Sequence, residues 1–193
     1  MPAEDRRARE RAARRELIVD TARRIAETEG WDAVTTRRLS TEIEYSQPVL
    51  YKHFTSMDEI AAAVALDGFA ELAARQRAAR TAGRTPGEAL TRVAHAYLDF
   101  ARDYPAVYDA MFTSSTILRF AKEDTPPPLV AAFDELRQAI SPMTDDADTL
   151  TEVFWAALHG LTSLSRGGRL RPDHDSERID ALIGRFCPAD ASP

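Results

Sequence analysis

The chain has 193 residues, 44% of them hydrophobic, with 25 Lys/Arg against 31 Asp/Glu and a net charge of −6. That length and apolar share suffice to bury one core or two small ones and exclude a disordered polymer, while the net acidity excludes indiscriminate attraction to nucleic acid. A single cysteine, Cys187, excludes an internal disulfide and a cysteine-rich metal site and fits a reducing cytoplasm; no stretch has the pattern of a leader or the length of a membrane span, so no membrane partner is expected.

The charge is unevenly divided. Residues 1–54 hold 11 basic and 10 acidic side chains, and residues 55–193 hold 14 and 21. Arg6, Arg7, Arg9, Arg11, Arg14 and Arg15 crowd the start, which admits two readings: a flexible basic arm, or a solubilising, partly helical tail. From about Glu10 helix formers dominate, and Ile18, Ala22, Ile25 and Ala26 recur on one face. Gly30 ends that helix. Trp31 and Val34 lie in the connection, and Thr35 or Thr36 can cap a short second helix through about Ile43, with Leu39 and Ile43 buried. Glu44 and Tyr45 leave barely a turn before Ser46, so a third helix must cross the second steeply.

That third helix, Ser46 to Phe54, has two unlike faces. Leu50 and Phe54 share one, four residues apart, and Gln47, Val49, Tyr51, Lys52 and His53 crowd the rest. Ser46 is expected to cap its first amides, and Pro48 is tolerated in a first turn. Two turns of helix cannot stand alone, so the flanking segments must hold it. Next, Ser56-Met57-Asp58-Glu59 reads as a capping box opening a long helix to about Arg80. Helices follow over residues 87–103 and from Pro105, then a boundary at Pro126-Pro127-Pro128 and a stripe of Leu129, Phe133, Leu136 and Ile140. The helix spanning 145–165 carries apolar residues on more than one face, which predicts burial on two sides. Gly167-Gly168 ends it, and a last helix runs from Ser176 to Phe186. No strand-like alternation persists, so the predicted fold class is all-α.

Gly30 to Leu39, Ser46 to Phe54 and Ser56 to Ile60 together resemble the TetR/AcrR-type transcriptional regulators over about residues 15–65. The resemblance implies a three-helix helix-turn-helix head over residues 1–55, joined by a long helix to a helical ligand-binding and dimerisation body over 56–193. It also implies a partner, a double-stranded DNA operator whose major groove admits the third helix. Carried over by position, Gln47, Pro48, Val49 and Tyr51 face the DNA, with Gln47 suited to an adenine edge and Val49 to a thymine methyl. Thr36 and Arg37 resemble phosphate contacts, Lys52 suits phosphate or base, and Ser46 belongs to the same surface. His53 is open between phosphate contact and packing. Two positions depart from the family pattern. Glu44 stands where relatives have glycine, and a left-handed turn there costs about 1–2 kcal/mol, so a different turn is expected. Met57 replaces a common lysine, removing one phosphate contact that the arginine arm would offset.

Phe154 to Gly160 resembles the Trp-x-x-x-His-Gly signature of one group of these C-terminal domains. Gly160 would allow close helix approach, and the last two long helices would form a homodimer's four-helix core through Phe154, Leu158, Leu161, Ile179, Leu182, Ile183 and Phe186. Phe69, Tyr97, Phe100, Tyr108, Met111, Phe112, Phe133 and Trp155 are the candidate contacts to a mostly apolar small-molecule effector. His95 and His159 fit structural roles better than ligand contacts. No residue spacing supports a catalytic or metal site, and no cofactor is implied. The expected function is thus a homodimeric repressor released from a pseudo-palindromic operator by its ligand. The alternatives are a helical sensor or scaffold without DNA binding, and an enzyme.

Overall fold

A computed structural model describes residues 3–112 and 124–187. Among them the long elements are all helices: α1 (Ala3–Glu29), α2 (Thr36–Glu42), α3 (Gln47–Tyr51), α4 (Met57–Thr81), α5 (Pro86–Asp103), α6 (Pro105–Phe112), α7 (Pro127–Ile140), α8 (Ala147–Arg166) and α9 (Asp175–Phe186). Their contacts form two compact units. The first holds α1, α2, α3, α4 as far as Gly68, and α6; the second holds α4 from Phe69 onward with α5, α7, α8 and α9.

In the first unit α1 is helical from Ala3, well before the first apolar stripe, so the basic start takes the helical form of the two readings. Every side chain from Asp5 to Leu17 is exposed, whereas Ile18, Ala22 and Ile25 are fully buried with Leu39, Leu50, Phe54 and Ile60. Arg38 and Glu42, one turn apart on α2, pair at 3.1 Å and belong to a larger set, with Arg24 on Glu42 at 2.6 Å and Arg38 on Glu29 at 2.9 Å. These bridges add tenths of a kcal/mol each, and two of them link α2 to α1.

Two caps differ from expectation. Ser46 makes no side-chain cap. Pro48, at the second helical position, has no N–H to offer, and the Val49 N–H donates instead to the Ser46 carbonyl at 2.9 Å. At α4 the Glu59 N–H donates to Ser56 Oγ at 3.2 Å as a capping box requires, but the Glu59 carboxylate accepts from the Thr55 N–H at 2.7 Å rather than from Ser56. The α2 cap is Thr35, whose hydroxyl accepts from the Arg38 N–H at 3.1 Å.

The turn at Glu44 also differs from expectation, because it keeps the left-handed conformation with φ 56°. Only so sharp a reversal lets the Tyr45 N–H donate to the Ser40 carbonyl at 3.1 Å and start α3 within three residues. The strain of about 1–2 kcal/mol is smaller than the gain from burying Leu50 and Phe54, each worth about 1.5–3 kcal/mol.

α6 is tied to α1. The Glu27 carboxylate accepts from the Ala106 and Val107 N–H groups at 3.2 and 2.9 Å, capping α6, and the Trp31 indole N–H donates to the Ala106 carbonyl at 2.8 Å. Gly68 of α4 lets α6 close in: a β-carbon there would lie 2.4 Å from Val107 and 2.8 Å from the Met111 sulfur.

In the second unit α5 buries Leu90, Val93, Ala94, Tyr97, Phe100 and Ala101, in contact with α7, α8 and α9. Glu135 of α7, 3% exposed, receives Arg77 at 2.8 Å and Arg80 at 2.8 Å from α4. α8 is covered on one side only within the chain: Thr151, Phe154, Leu158 and Thr162 are buried, while Val153 and Leu164 are 52% and 40% exposed. This corrects the interface stripe expected from the sequence. Phe154, Leu158 and Ile179 are 0% exposed and Ile183 9%, and Phe154 stacks edge-on with Phe186 at 5.0 Å, so Phe154, Leu158, Ile179 and Ile183 fill this unit's own core and offer no surface to a second chain. Leu161, Leu182 and Phe186 remain half-exposed. Among the described residues nothing lies within 4 Å of a β-carbon built on Gly160.

Replacing Glu44 with glycine removes the left-handed strain at the expense of some unfolded-state entropy, and a net stabilisation of about 0.5–1 kcal/mol is expected in urea unfolding. A loss of stability would show that the glutamate is not strained there.

Candidate nucleic-acid interface

Burying Leu50 and Phe54, each 1% exposed, turns the opposite face of α3 outward. Gln47, Pro48, Tyr51 and Lys52 are exposed along it, as is Ser46 just before it, and Val49 and His53 are half-buried. α2 contributes an exposed Arg37 and a half-buried Thr36. The Thr36 hydroxyl lies 3.4 Å from the Tyr51 hydroxyl and donates to the Met57 sulfur at 3.7 Å. The first residue of α4 thus meets α2 at this corner.

His53 closes the other end of α3. Arg15 of α1 donates to the His53 carbonyl at 3.0 Å and lays its guanidinium 4.0 Å from the centre of the Phe54 ring. Burial first, and then the positive charges of Arg14, Arg11 and Arg15, hold the His53 imidazole below its ordinary value of 6.5, so at neutral pH it is an uncharged donor and acceptor. The same arginines belong to the basic start of the chain, which here is part of α1. Arg7, Arg11 and Arg14 continue at four- and three-residue steps the face that becomes Ile18, Ala22 and Ile25. A basic face of α1 therefore extends toward the C-terminal end of α3.

The candidate effector contacts divide between the units. In the second, Phe69, Tyr97 and Phe100 are buried, the Trp155 indole donates to the Tyr97 hydroxyl at 3.2 Å, and Phe133 stands edge-on to Trp155 at 6.4 Å. In the first, Tyr108 and Phe112 rings lie 4.8 Å apart and Met111 packs on Gly68. A groove of about 610 Å³ runs between α4 and α7, lined mainly by alanines and prolines with Arg77 and Glu135, and holds none of those aromatics. His159 is lowered by burial and lies 3.5 Å from Ser163 Oγ. Among the described residues no group of three or more His, Cys, Asp or Glu side chains could hold a metal, and no helix is long and apolar enough to cross a membrane.

A pair of short helices joined by the left-handed turn at Glu44 and held in one unit with a longer helix, the second of the pair bearing an exposed polar face, defines a helix-turn-helix protein. Residues 18–64 match the profile of the bacterial regulatory proteins of the tetR family, and residues 90–186 match the tetracyclin repressor-like C-terminal domain. The chain belongs to the TetR family, a family of DNA-binding transcriptional regulators and not of enzymes. It is 36% identical over 94 residues to the HTH-type transcriptional regulator YobS of Bacillus subtilis (strain 168), a match spanning 49% of each chain. It is 29% identical over 167 residues to the HTH-type transcriptional regulator Rv0681 of Mycobacterium tuberculosis, covering 86% of this chain and 75% of that protein. The fold is shared with the multidrug binding protein EbrR complexed with imidazole, at a TM-score of 0.65, 22% identity and 93% coverage of both chains.

The unfolded chain takes up a proton at His53 before the folded one does. Its contribution to stability is therefore complete above pH 6.5 and declines as pH falls toward the lower folded midpoint. An NMR titration is expected to place the His53 midpoint below 6.5, and replacing Arg11 and Arg14 with glutamine to raise it without fully restoring the ordinary value, since burial persists. An unmoved midpoint would show that those guanidinium groups are too well screened to act on it.

Proposed function

We propose that this chain is a homodimeric, cytoplasmic repressor that reads a pseudo-palindromic operator through α3 and is released by a small, mostly apolar ligand. The observation that carries the reading is the exposed polar face of α3 over fully buried Leu50 and Phe54. Residues 1–55 are the reading head. Gln47 contacts an adenine edge, Val49 and Pro48 supply apolar contact to a thymine methyl, and Ser46, Tyr51, Lys52, His53, Thr36 and Arg37 hold phosphates. Arg7, Arg11 and Arg14 extend the basic surface, offsetting the cation absent at Met57.

Residues 56–193 bind the ligand and the second copy. α8 carries Val153, Ala156, Gly160 and Leu164 at three- and four-residue steps, exposed or with open space around them; together with half-exposed Leu161, Leu182 and Phe186 they form the two-fold surface. The ligand contacts are Phe69, Tyr97, Phe100, Phe133 and Trp155, which lie in the second unit. A fold shared with a protein that binds imidazole and is named for multidrug binding supports this aromatic reading. Release is a population shift: α4 is one continuous helix from Met57 to Thr81, so a ligand that prefers a displaced α4 disfavours the spacing of paired heads that fits the operator.

The test begins by selecting bound sequences from a random DNA pool and measuring affinity by fluorescence anisotropy. Gln47→Ala is expected to cost about 1–3 kcal/mol and relax preference at one base pair, whereas Arg37→Ala weakens all sequences and lowers the salt slope by about one. Removing residues 1–9 also lowers the salt slope. An unselective pool, or no salt-dependent binding at all, defeats the reading. For the dimer, Val153→Glu with Leu164→Glu is expected to give a folded monomer by light scattering and an operator affinity lower by about 100-fold. A dimer that survives both changes would place the interface elsewhere.

A further inference from the structure

We propose that the side-chain amide of Gln76 is the recognition point for a neutral group on the effector that presents a hydrogen-bond donor and acceptor side by side, as a carboxamide, a lactam or an uncharged carboxylic acid does. The inference rests on the ligand-responsive reading above and narrows its chemistry. Gln76 is 0% exposed, and neither its Oε1 nor its Nε2 has a partner among the described residues. Buried amides are nearly always partnered, because an unmet donor and acceptor leave the loss of hydration uncompensated.

The position of Gln76 on α4 says where it faces. Arg75, one residue before, lies against α5, 5.7 Å from the centre of the Phe100 ring and 3.2 Å from Asp103. Arg77 and Arg80, just after, bond Glu135 of α7 through their Nε atoms at 2.8 and 2.9 Å. Between those two directions Gln76 turns to the seam of α5 and α7. The same stripe of α4 carries Phe69 and Leu72, 3% and 2% exposed. Tyr97 of α5 and Phe133 of α7 are joined through Trp155, which donates to the Tyr97 hydroxyl at 3.2 Å and meets the edge of Phe133 at 6.4 Å.

These surroundings select the ligand's charge as well as its polar group. Arg75 is paired with Glu71 at 3.0 Å as well as with Asp103, and Arg77 and Arg80 share the one Glu135 carboxylate. An ionic effector brought to the fully buried amide would lose its hydration. A flat or branched apolar body bearing one amide-like group suits the aromatic side chains this unit carries and meets the partnerless glutamine. The Thr162 hydroxyl of α8, 4% exposed, also lacks a partner among the described residues and offers the same unit a further polar point. The sequence carried the signal faintly: a glutamine at the place of an apolar residue in the stripe begun by Phe69 and Leu72.

Benzamide and acetophenone form a matched pair of probes, equal in heavy atoms and differing in an NH2 or a methyl on the carbonyl. Isothermal titration on the full chain is expected to show benzamide binding about tenfold more tightly than acetophenone. In Gln76→Met, of similar size, the ratio falls to about one and the unliganded melting temperature rises, because the partnerless amide is gone. Gln76→Leu repeats the comparison should the methionine variant misfold. Equal affinities in the unaltered chain, no benzamide binding, a ratio unchanged by substitution, or both variants less stable than the unaltered chain would each overturn the proposal. Operator binding measured in parallel without probe separates the two readings. Operator binding without probe discrimination sinks the amide site alone, and discrimination without operator binding sinks the repressor alone.

Discussion

A helix of five residues has no stability of its own, and everything in the reading head follows from the need to hold α3 in place. Leu50 and Phe54 sink fully into the core under α1, and the guanidinium of Arg15 sits over the outer face of Phe54 while bonding the chain at His53. With those two side chains fixed, the remaining positions of so short a helix have no freedom in where they point. The outward face is rigid because the inward one is.

The left-handed turn at Glu44 is a second effect of that constraint. Local preference favours glycine there, yet the chain keeps the φ of 56° with a glutamate, since relaxing the turn would lift Leu50 out of the core. Tertiary burial outweighs local strain by a margin of a few kcal/mol at most. The same hierarchy appears at Ser46, where a cap residue with the right hydroxyl goes unused because Pro48 removes one amide and the backbone takes the next.

What the sequence made legible was whatever repeats. The helices, their order, the head's core and the outward set on α3 all follow from three- and four-residue spacing with Gly, Pro and Thr at the ends. Periodicity reports that a side chain is buried but is silent on what buries it. Phe154, Leu158 and Ile179 were read as a subunit surface for that reason, when α8 and α9 bury them against their own unit and leave Val153 and Leu164 outside. Gln76 was passed over for the converse reason, since a polar residue flanked by two arginines in an alanine-rich helix reads as solvated until its burial is seen. The reciprocal bond of Glu59 to Thr55 rather than Ser56 depends on backbone direction, which residue types do not encode.

The hydrogen bonds from Ala106 and Val107 to Glu27, and from Trp31 to Ala106, join residues nearly eighty positions apart. The chain accordingly leaves its first compact unit at Gly68, re-enters it at Tyr104 and leaves again at Pro126. A recombination event with one breakpoint in α4 would therefore deliver a head lacking its own α6, with the Glu27 carboxylate and the Trp31 indole facing a foreign partner. The outward residues of α3 bear none of that load, so substitutions along that helix leave the ties between α1 and α6 intact.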